Sequence, residues 1–492
     1  MTEKQFDITG LLEPQIPHAQ FLANSLEKSG VSWDGSMTGT GKTFTACAIL
    51  RHLGRKFIVI CPKLAIPQWK TVMVRFGITP EFIINPEKLA RGNTPHYKRI
   101  SPDQYRSMYG IDSKIEIPLF MQAAFTIPID WVIVIDESHK MKGMESLNAG
   151  ILFNISTQGY RVHLMSATQA TTPLDMRAFG YATGLHSRSN VADKFQLREF
   201  KKFAEQAGAK WVGKWGAQYF DSGDNESMVR IRAVRHYLYN VKKVGSRLTR
   251  KDFGDIFPPS QVVAEAYDMG LASDAIRAVY DEMEAELMLL EQRCENYKDH
   301  ILAVITRARR HAELLKVPTI VEMAEDFHQE GRSTVVFVNY KDTIDSIIER
   351  LGKLFDPKLI GRIDGGQTFK QRQSDIADFQ ADKKYFMIAN LAAGGQCINL
   401  HDLLGGRPRS SIINPSYSAI SVLQSAGRID RAYAKSDVYQ RFLYAARTIE
   451  ENVCIRFNDK NCFITALNDG TLTDGDLIPT ETLFRFAKGM NV

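Results

Sequence analysis

Strand-like runs alternate with helix-length stretches in two separate parts of the chain. The first part holds residues 56–62, 131–135 and 161–165; the second holds 333–338, 359–363, 385–389, 411–413 and 438–444. The run 131–135 has no polar interruption, which suits a parallel strand buried on both faces. Strands separated by helix-length connections read as βαβ units. The expected fold class is therefore α/β, with two doubly wound parallel-sheet lobes. Between the lobes the pattern turns helical and strongly charged, and residues 274–315 are rich in helix formers. The pattern predicts a first lobe over 1–185, a helical insertion and linker over 186–325, a second lobe over 326–470 and a loosely attached tail over 471–492.

Composition narrows the class. The chain has 492 residues, 44% hydrophobic and 24% charged, enough for two or three soluble domains with ample core. No apolar stretch approaches the ~20 residues of a membrane span, and the N-terminus lacks a signal-peptide core. Six scattered cysteines without a CxxC pair argue for a reducing, intracellular setting and against structural zinc. The net charge of +6 is compatible with a polyanionic partner. Its densest segment is 230–251, where Arg230, Arg232, Arg235, Lys242, Lys243, Arg247, Arg250 and Lys251 occur with no acidic residue between them. Such a run either grips phosphates or forms a solvated basic face. Trp211 and Trp215, beside Lys210 and Lys214, either stack on bases or pack internally.

The chemistry concentrates in Ser36-Met-Thr-Gly-Thr-Gly-Lys42-Thr43. Gly39 and Gly41 let the amides of Thr38 through Lys42, Thr40 included, close around phosphate oxygens. Lys42 supplies a point charge at the β and γ positions, and the Thr43 hydroxyl is a magnesium ligand. The following helix aims its positive end at the same anion. A second motif, Asp136-Glu137-Ser138-His139, ends the apolar run 131–135. Catalytic residues gather at the carboxyl ends of such strands. Asp136 would hold Mg2+, and Glu137 would orient or deprotonate the water that attacks the γ-phosphate. Together the motifs predict hydrolysis of a nucleoside triphosphate, with ATP and Mg2+ as the expected cofactors.

Further segments resemble the motif set of superfamily 2 helicase-type motors, whose lobes are RecA-like. Gln20, some twenty residues before Lys42, matches the glutamine that reads the adenine edge. Residues 61–69, with Lys63, are similar to the segment that touches the nucleic-acid backbone, and Ser166-Ala167-Thr168 to the motif coupling the ATP site to the track. In the second lobe, Gly394-Gly395 with Asn399-Leu400, and Gln424-Ser-Ala-Gly-Arg428-Ile-Asp-Arg431, resemble the last two motifs. The resemblance implies that Gly395 and Gln424 approach the nucleotide, and that Arg428 and Arg431 neutralise charge on the γ-phosphate from the opposing lobe.

Within that superfamily the chain looks SWI/SNF-like. Arg247-Leu-Thr-Arg-Lys-Asp252 with Ile256-Phe-Pro-Pro258, Ile363-Asp-Gly-Gly-Gln with Arg372 and Phe379, and Thr448-Ile-Glu-Glu451 carry this likeness. The Asp-Glu-Ser-His spelling, residues 219–224 and residues 316–322 are most similar to the annealing (HARP-type) helicases. Cys397 and Arg431-Ala-Tyr-Ala depart from the family pattern. The resemblance implies an ATP-dependent translocase on duplex or forked DNA, reading no sequence, with Arg232, Arg235, Lys242, Lys243 and Arg247 as candidate phosphate contacts. A strand-separating DNA helicase and an RNA helicase are the alternatives, and a compact phage- or virus-like core in host cytoplasm fits the length.

Overall fold

The computed structural model describes residues 6–143, 145–186, 197–212, 217–219, 225–264, 266–293, 298–391, 398–416 and 418–451, with Ile464 and Leu467. Two compact units emerge, residues 1–252 with 459–492, and residues 253–458. Each is built on a six-stranded parallel sheet, the architecture of a RecA-like lobe.

In the first unit the chain runs through α1 (Gln15–Ser29), β1 (Val31–Asp34), α2 (Lys42–Leu53), β2 (Phe57–Ile60), α3 (Ile66–Phe76) and β3 (Phe82–Ile84). Then come β4 (Val132–Asp136), α4 (Leu147–Gln158), β5 (Arg161–Met165), α5 (Leu197–Gln206), α6 (Asn225–His236) and β6 (Gly245–Ser246). The strand order is β6-β1-β5-β4-β2-β3. Helices cover both faces, so β2 and β4 are apolar on both sides; Ile58 sits beside Ile133, and Ile133 beside Val162. The sequence pattern locates β2, β4 and β5 but passes over β1. That strand buries Ser32 and Asp34 completely, and polar groups break an apolar run. Each has a partner from within: Ser32 Oγ lies 2.8 Å from His163 Nδ1, and Asp34 Oδ1 lies 3.3 Å from His18 Nε2.

The second unit runs through β7 (Ser260–Val263), α7 (Leu271–Arg293), α8 (Lys298–Leu315), α9 (Val317–Gln329), β8 (Ser333–Val338), α10 (Lys341–Leu354) and β9 (Ile360–Ile363). It continues through α11 (Phe369–Gln380), β10 (Phe386–Asn390), β11 (Arg409–Ile413), α12 (Ala419–Ala426) and β12 (Val438–Phe442). All pairings in the order β7-β12-β11-β8-β10-β9 are parallel. A capping box starts α11: Thr368 Oγ1 accepts from the Gln371 amide while the Gln371 side chain accepts from the Thr368 amide.

The expected separate insertion over 186–325 divides between the units. Phe200, Phe203 and Ala204 of α5 join the core that holds Phe179 and Tyr181, and β6 extends the first sheet. On the other side of residue 252, Ile276, Tyr280 and Met283 of α7 pack with Val304, Ala308 and Ala312 of α8 and with Ala445 of the second unit. Leu467, expected in the second lobe, lies in the first unit's core. Amphipathic helices go where apolar surface remains uncovered, and charge density alone does not disclose which lobe that is.

Candidate active site

The phosphate loop leaves the carboxyl end of β1 and enters α2. Gly39 and Gly41 have φ of 82° and 86°, the left-handed region that glycine tolerates best. Lys42 Nζ folds back onto the loop, donating to Ser36 O at 2.8 Å and Met37 O at 3.0 Å, and Thr43 follows it in the first turn of α2. The Thr40 hydroxyl donates to Met37 O at 2.8 Å, and Thr38 is half-buried. Among the described residues, the amides of residues 38–43 have no protein acceptor. A ring of such donors at a helix N-terminus with one ammonium group is a donor set that fits a triphosphate. Burial pulls the Lys42 ammonium below its usual range, against the opposing pull of Asp34, Glu137 and Asp136.

Gln20 is exposed on α1. Gln15 of the same helix is bonded to the loop. It is buried, and its Nε2 donates to Thr40 O at 2.7 Å while its Oε1 accepts from the Leu12 amide at 2.8 Å. Five residues along an α-helix turn the side chain by about 140°, so the two glutamines face differently. The buried stripe of α1 is Gln15, His18, Ala19, Leu22, Ala23, Ser25 and Leu26; its period includes Gln15 and excludes Gln20. A methyl group on Gly41 would meet Gln15 Nε2 at 2.3 Å, so that glycine serves close approach as well as backbone shape.

Asp136 ends β4, two strands away from β1 with β5 between them. Its Oδ1 accepts from the Glu137 amide at 2.9 Å and its Oδ2 from Trp69 Nε1 at 2.8 Å. Burial, and then the neighbouring Glu137, push its pKa up to about 6. Glu137 has φ of 51°, an unusual backbone for a non-glycine residue, and its carboxylate acts electrostatically on Lys42. His139 lies 3.3 Å from Glu137 Oε2 and 3.2 Å from Ser166 Oγ, and Ser138 Oγ donates to Met165 O at 3.2 Å. The end of β5 is thus tied to the acidic motif by two hydrogen bonds. A carboxylate pair beside a half-buried lysine is the arrangement that binds a divalent cation and orients water at a phosphoryl group.

Behind the loop lies a buried polar cluster. Ser36 Oγ accepts from the Leu248 amide at 2.9 Å and sits 3.2 Å from His18 Nε2, whose Nδ1 is 2.7 Å from Ser246 Oγ. Burial pushes the Asp34 carboxyl up, but His18, with Lys42 and His163, outweighs that and holds it well below the usual carboxylate range. Burial, helped by His18 and opposed by Asp34, pushes His163 down to about 4. Arg247, grouped with the basic run as a phosphate contact, turns instead to the loop and donates to Gly35 O. Its strand pairs alongside β1, so the residues following β6 run beside residues 35–37.

In the second unit Arg428 and Arg431 follow α12. Arg428 is 3% exposed, and both guanidinium groups donate to Ile398 O, at 3.4 and 3.3 Å. Gln424 is buried on α12; Gly394, Gly395 and Cys397 lie outside the described residues. A site feature that motif reading named but did not connect is the buried pair of Lys316 and Glu450. Glu450 also accepts from the Ala445 amide at 2.8 Å and from Tyr280 Oη at 3.2 Å. This clamps the α8–α9 junction to the Thr448-Ile-Glu-Glu segment, and the extra bonds offset the desolvation of the pair.

Of the candidate nucleic-acid contacts, Lys63, Lys242 and Lys243 are exposed, while Arg232 and Arg235 are half-buried. The Arg235 guanidinium rests 4.8 Å from the Tyr239 ring and Lys242 Nζ 5.6 Å from the Tyr237 ring. Arg230 caps α5 by donating to Glu205 O at 3.2 Å. The run is therefore not one continuous basic face. Trp215 and the side chain of Trp211 lie outside the described residues.

Two RecA-like lobes, the first with a phosphate loop, a half-buried lysine and a carboxylate pair, define a nucleotide-driven motor. Comparison with known proteins agrees. Residues 30–170 match the family model for the res subunit of type III restriction enzymes, and residues 315–433 match the helicase conserved C-terminal domain. The chain is 31% identical to a protein of Acanthamoeba polyphaga mimivirus that carries the name of an ATP-dependent RNA helicase, over 93% of this chain and 83% of that protein. It is 22% identical to the protein CHROMATIN REMODELING 4 of Arabidopsis thaliana, over 91% of this chain but 21% of the much longer relative. The chain belongs to the superfamily 2 helicases and is a helicase-type, ATP-dependent motor that acts on nucleic acid. Among the described residues no helix is long and apolar enough to cross a membrane.

Proposed function

We propose that this motor hydrolyses ATP to translocate on duplex or forked DNA without reading sequence. The observation that carries the proposal is the extended likeness to a chromatin remodeller, which spans 91% of this chain and so includes the segments between the helicase motifs. The SWI/SNF-like segments point the same way: residues 247–258, 363–379 and 448–451. The spelling of the acidic motif and of residues 316–322 favours the annealing branch, so closure of forked strands is the outcome we assign.

Each residue has a task in this reading. Lys42, Thr38, Gly39, Thr40 and Gly41 bind the phosphates, and Gln15 steadies the loop from α1. Thr43 and Asp136 would hold Mg2+, which when bound neutralises phosphate charge. Glu137 orients and accepts a proton from the attacking water, with His139 and Ser166 keeping its surroundings in place. Arg428 and Arg431 neutralise charge that develops on the transferred phosphoryl group, and Gln424 approaches the nucleotide from α12. Exposed Lys63, Lys242 and Lys243, with Arg232 and Arg235, contact backbone phosphates, which carry no sequence information.

A second reading, an RNA motor, draws on the name of the mimivirus relative. Hydrolysis rates measured side by side with duplex DNA, forked DNA, single-stranded DNA and RNA separate the two. Stimulation greatest with duplex or forked DNA is expected; greatest stimulation by RNA would replace the DNA assignment.

A further inference from the structure

Trp69 lies on α3 and is 1% exposed, and Val72, Met73 and Phe76 of the same helix are buried as well. Its indole N–H donates to Asp136 Oδ2, at 2.8 Å. Burial by itself does not supply such a partner. Trp33, equally buried in the same lobe, has no acceptor for its indole N–H among the described residues. The Asp136 carboxylate thereby has a donor on each oxygen, the indole on Oδ2 and the Glu137 amide on Oδ1. An indole can only donate, so this contact fixes the orientation of the carboxylate whatever else binds there. The helix that carries Trp69 continues directly from the turn Lys63–Ala65 at the end of β2, where Lys63 is exposed. Turn and helix form one stretch, so a displacement at Lys63 is felt at the indole about 9 Å further along the helix. Hydrogen bonds weaken steeply as they bend, which makes this bond responsive to small shifts of α3.

We propose that Trp69 is a positioning residue for Asp136, and that it links the exposed turn at Lys63 to the metal-holding end of β4. The inference rests on the reading of Asp136 as a metal ligand and of the turn as a nucleic-acid contact. Partners that orient a metal-bound carboxylate are commonly worth 10- to 100-fold in metal affinity.

The test uses Trp69→Phe, which keeps an aromatic ring and removes the N–H. Binding of Mn2+ in the presence of ADP is followed by electron paramagnetic resonance. The substitution should weaken Mn2+ binding by about 10-fold while metal-free ADP binding stays within about two-fold. Trp69→His, which retains a ring N–H, should recover part of that loss, and stimulation of hydrolysis by duplex DNA should fall in parallel with metal affinity. A folded Trp69→Phe protein with wild-type Mn2+ affinity would overturn the proposal and leave Trp69 a core residue. Asp136→Asn separates this from failure of the underlying assignment. If it too leaves Mn2+ binding unchanged, the metal site is elsewhere; if it alone abolishes binding, only the role of Trp69 falls. Should Trp69→Phe not fold, wild-type protein labelled with 15N-tryptophan answers instead. Among its five indole signals, one protected from exchange should shift when Mg2+ and ADP are added, and the absence of any such shift would count against the link.

Discussion

In the first lobe the candidate catalytic groups come from the ends of three neighbouring strands and are bonded to one another or to their immediate surroundings. Lys42 rests on the loop carbonyls, Asp136 is held on both oxygens, and His139 bridges Glu137 to Ser166. In the second lobe Arg428 and Arg431 share one main-chain acceptor at 3.3 to 3.4 Å, at the long limit for such bonds. The difference is one of placement. In the first lobe the candidate phosphate, metal and water groups have partners at the ends of adjacent strands, an arrangement that favours binding with little rearrangement. The second lobe brings two guanidinium groups to a single carbonyl after α12, a pairing that suits an anionic oxygen. We expect the first lobe to set whether nucleotide binds and the second to set how fast bound nucleotide turns over.

Substitutions in the first lobe should have the largest effects and should differ from one another. Glu137→Gln removes the proton acceptor but leaves the phosphate cradle, so turnover should fall by roughly 10²–10⁴-fold with ATP still bound. Lys42→Ala should also stop hydrolysis, and ATP affinity should fall with it. Equilibrium binding of a fluorescent ATP analogue, read beside turnover, distinguishes them; unimpaired turnover in Glu137→Gln would remove Glu137 from its role.

Next in size is Arg428→Ala. A full arginine finger contributes roughly 10³–10⁵-fold, but Arg431 remains beside the same carbonyl, so we expect a fall in turnover of about 10²-fold. ATP and DNA affinity should change little. A loss of DNA affinity with turnover intact at saturating DNA would break the comparison between the lobes, because it would assign Arg428 to the track.

The parts of this site that could be read from sequence are those whose partners are close along the chain. The phosphate loop, the acidic motif and eight of the parallel strands, β2, β4, β5 and β8 to β12, announce themselves by local pattern. What was hidden depends on distant partners. β1 looked too polar because His18 and His163, from α1 and β5, are what make buried Asp34 and Ser32 tolerable. Arg247 looked like part of a basic face because nothing local shows that its strand runs beside residues 35–37. The bond from Gln15 to the loop was hidden for the same reason, since Thr40 lies 25 residues further along. The contact of Trp69 with Asp136 had no signal in spacing, as 67 residues separate the two.

The central claim, movement along duplex DNA driven by ATP, is tested most directly by displacement of a third strand from a DNA triplex placed on otherwise uninterrupted duplex. The third strand has no free energy to gain from strand separation at a fork, so its release reports translocation itself. Wild-type protein should release it with ATP and not with a non-hydrolysable analogue, and Glu137→Gln should release none. Brisk DNA-stimulated hydrolysis without displacement, or displacement confined to RNA substrates, would contradict the account.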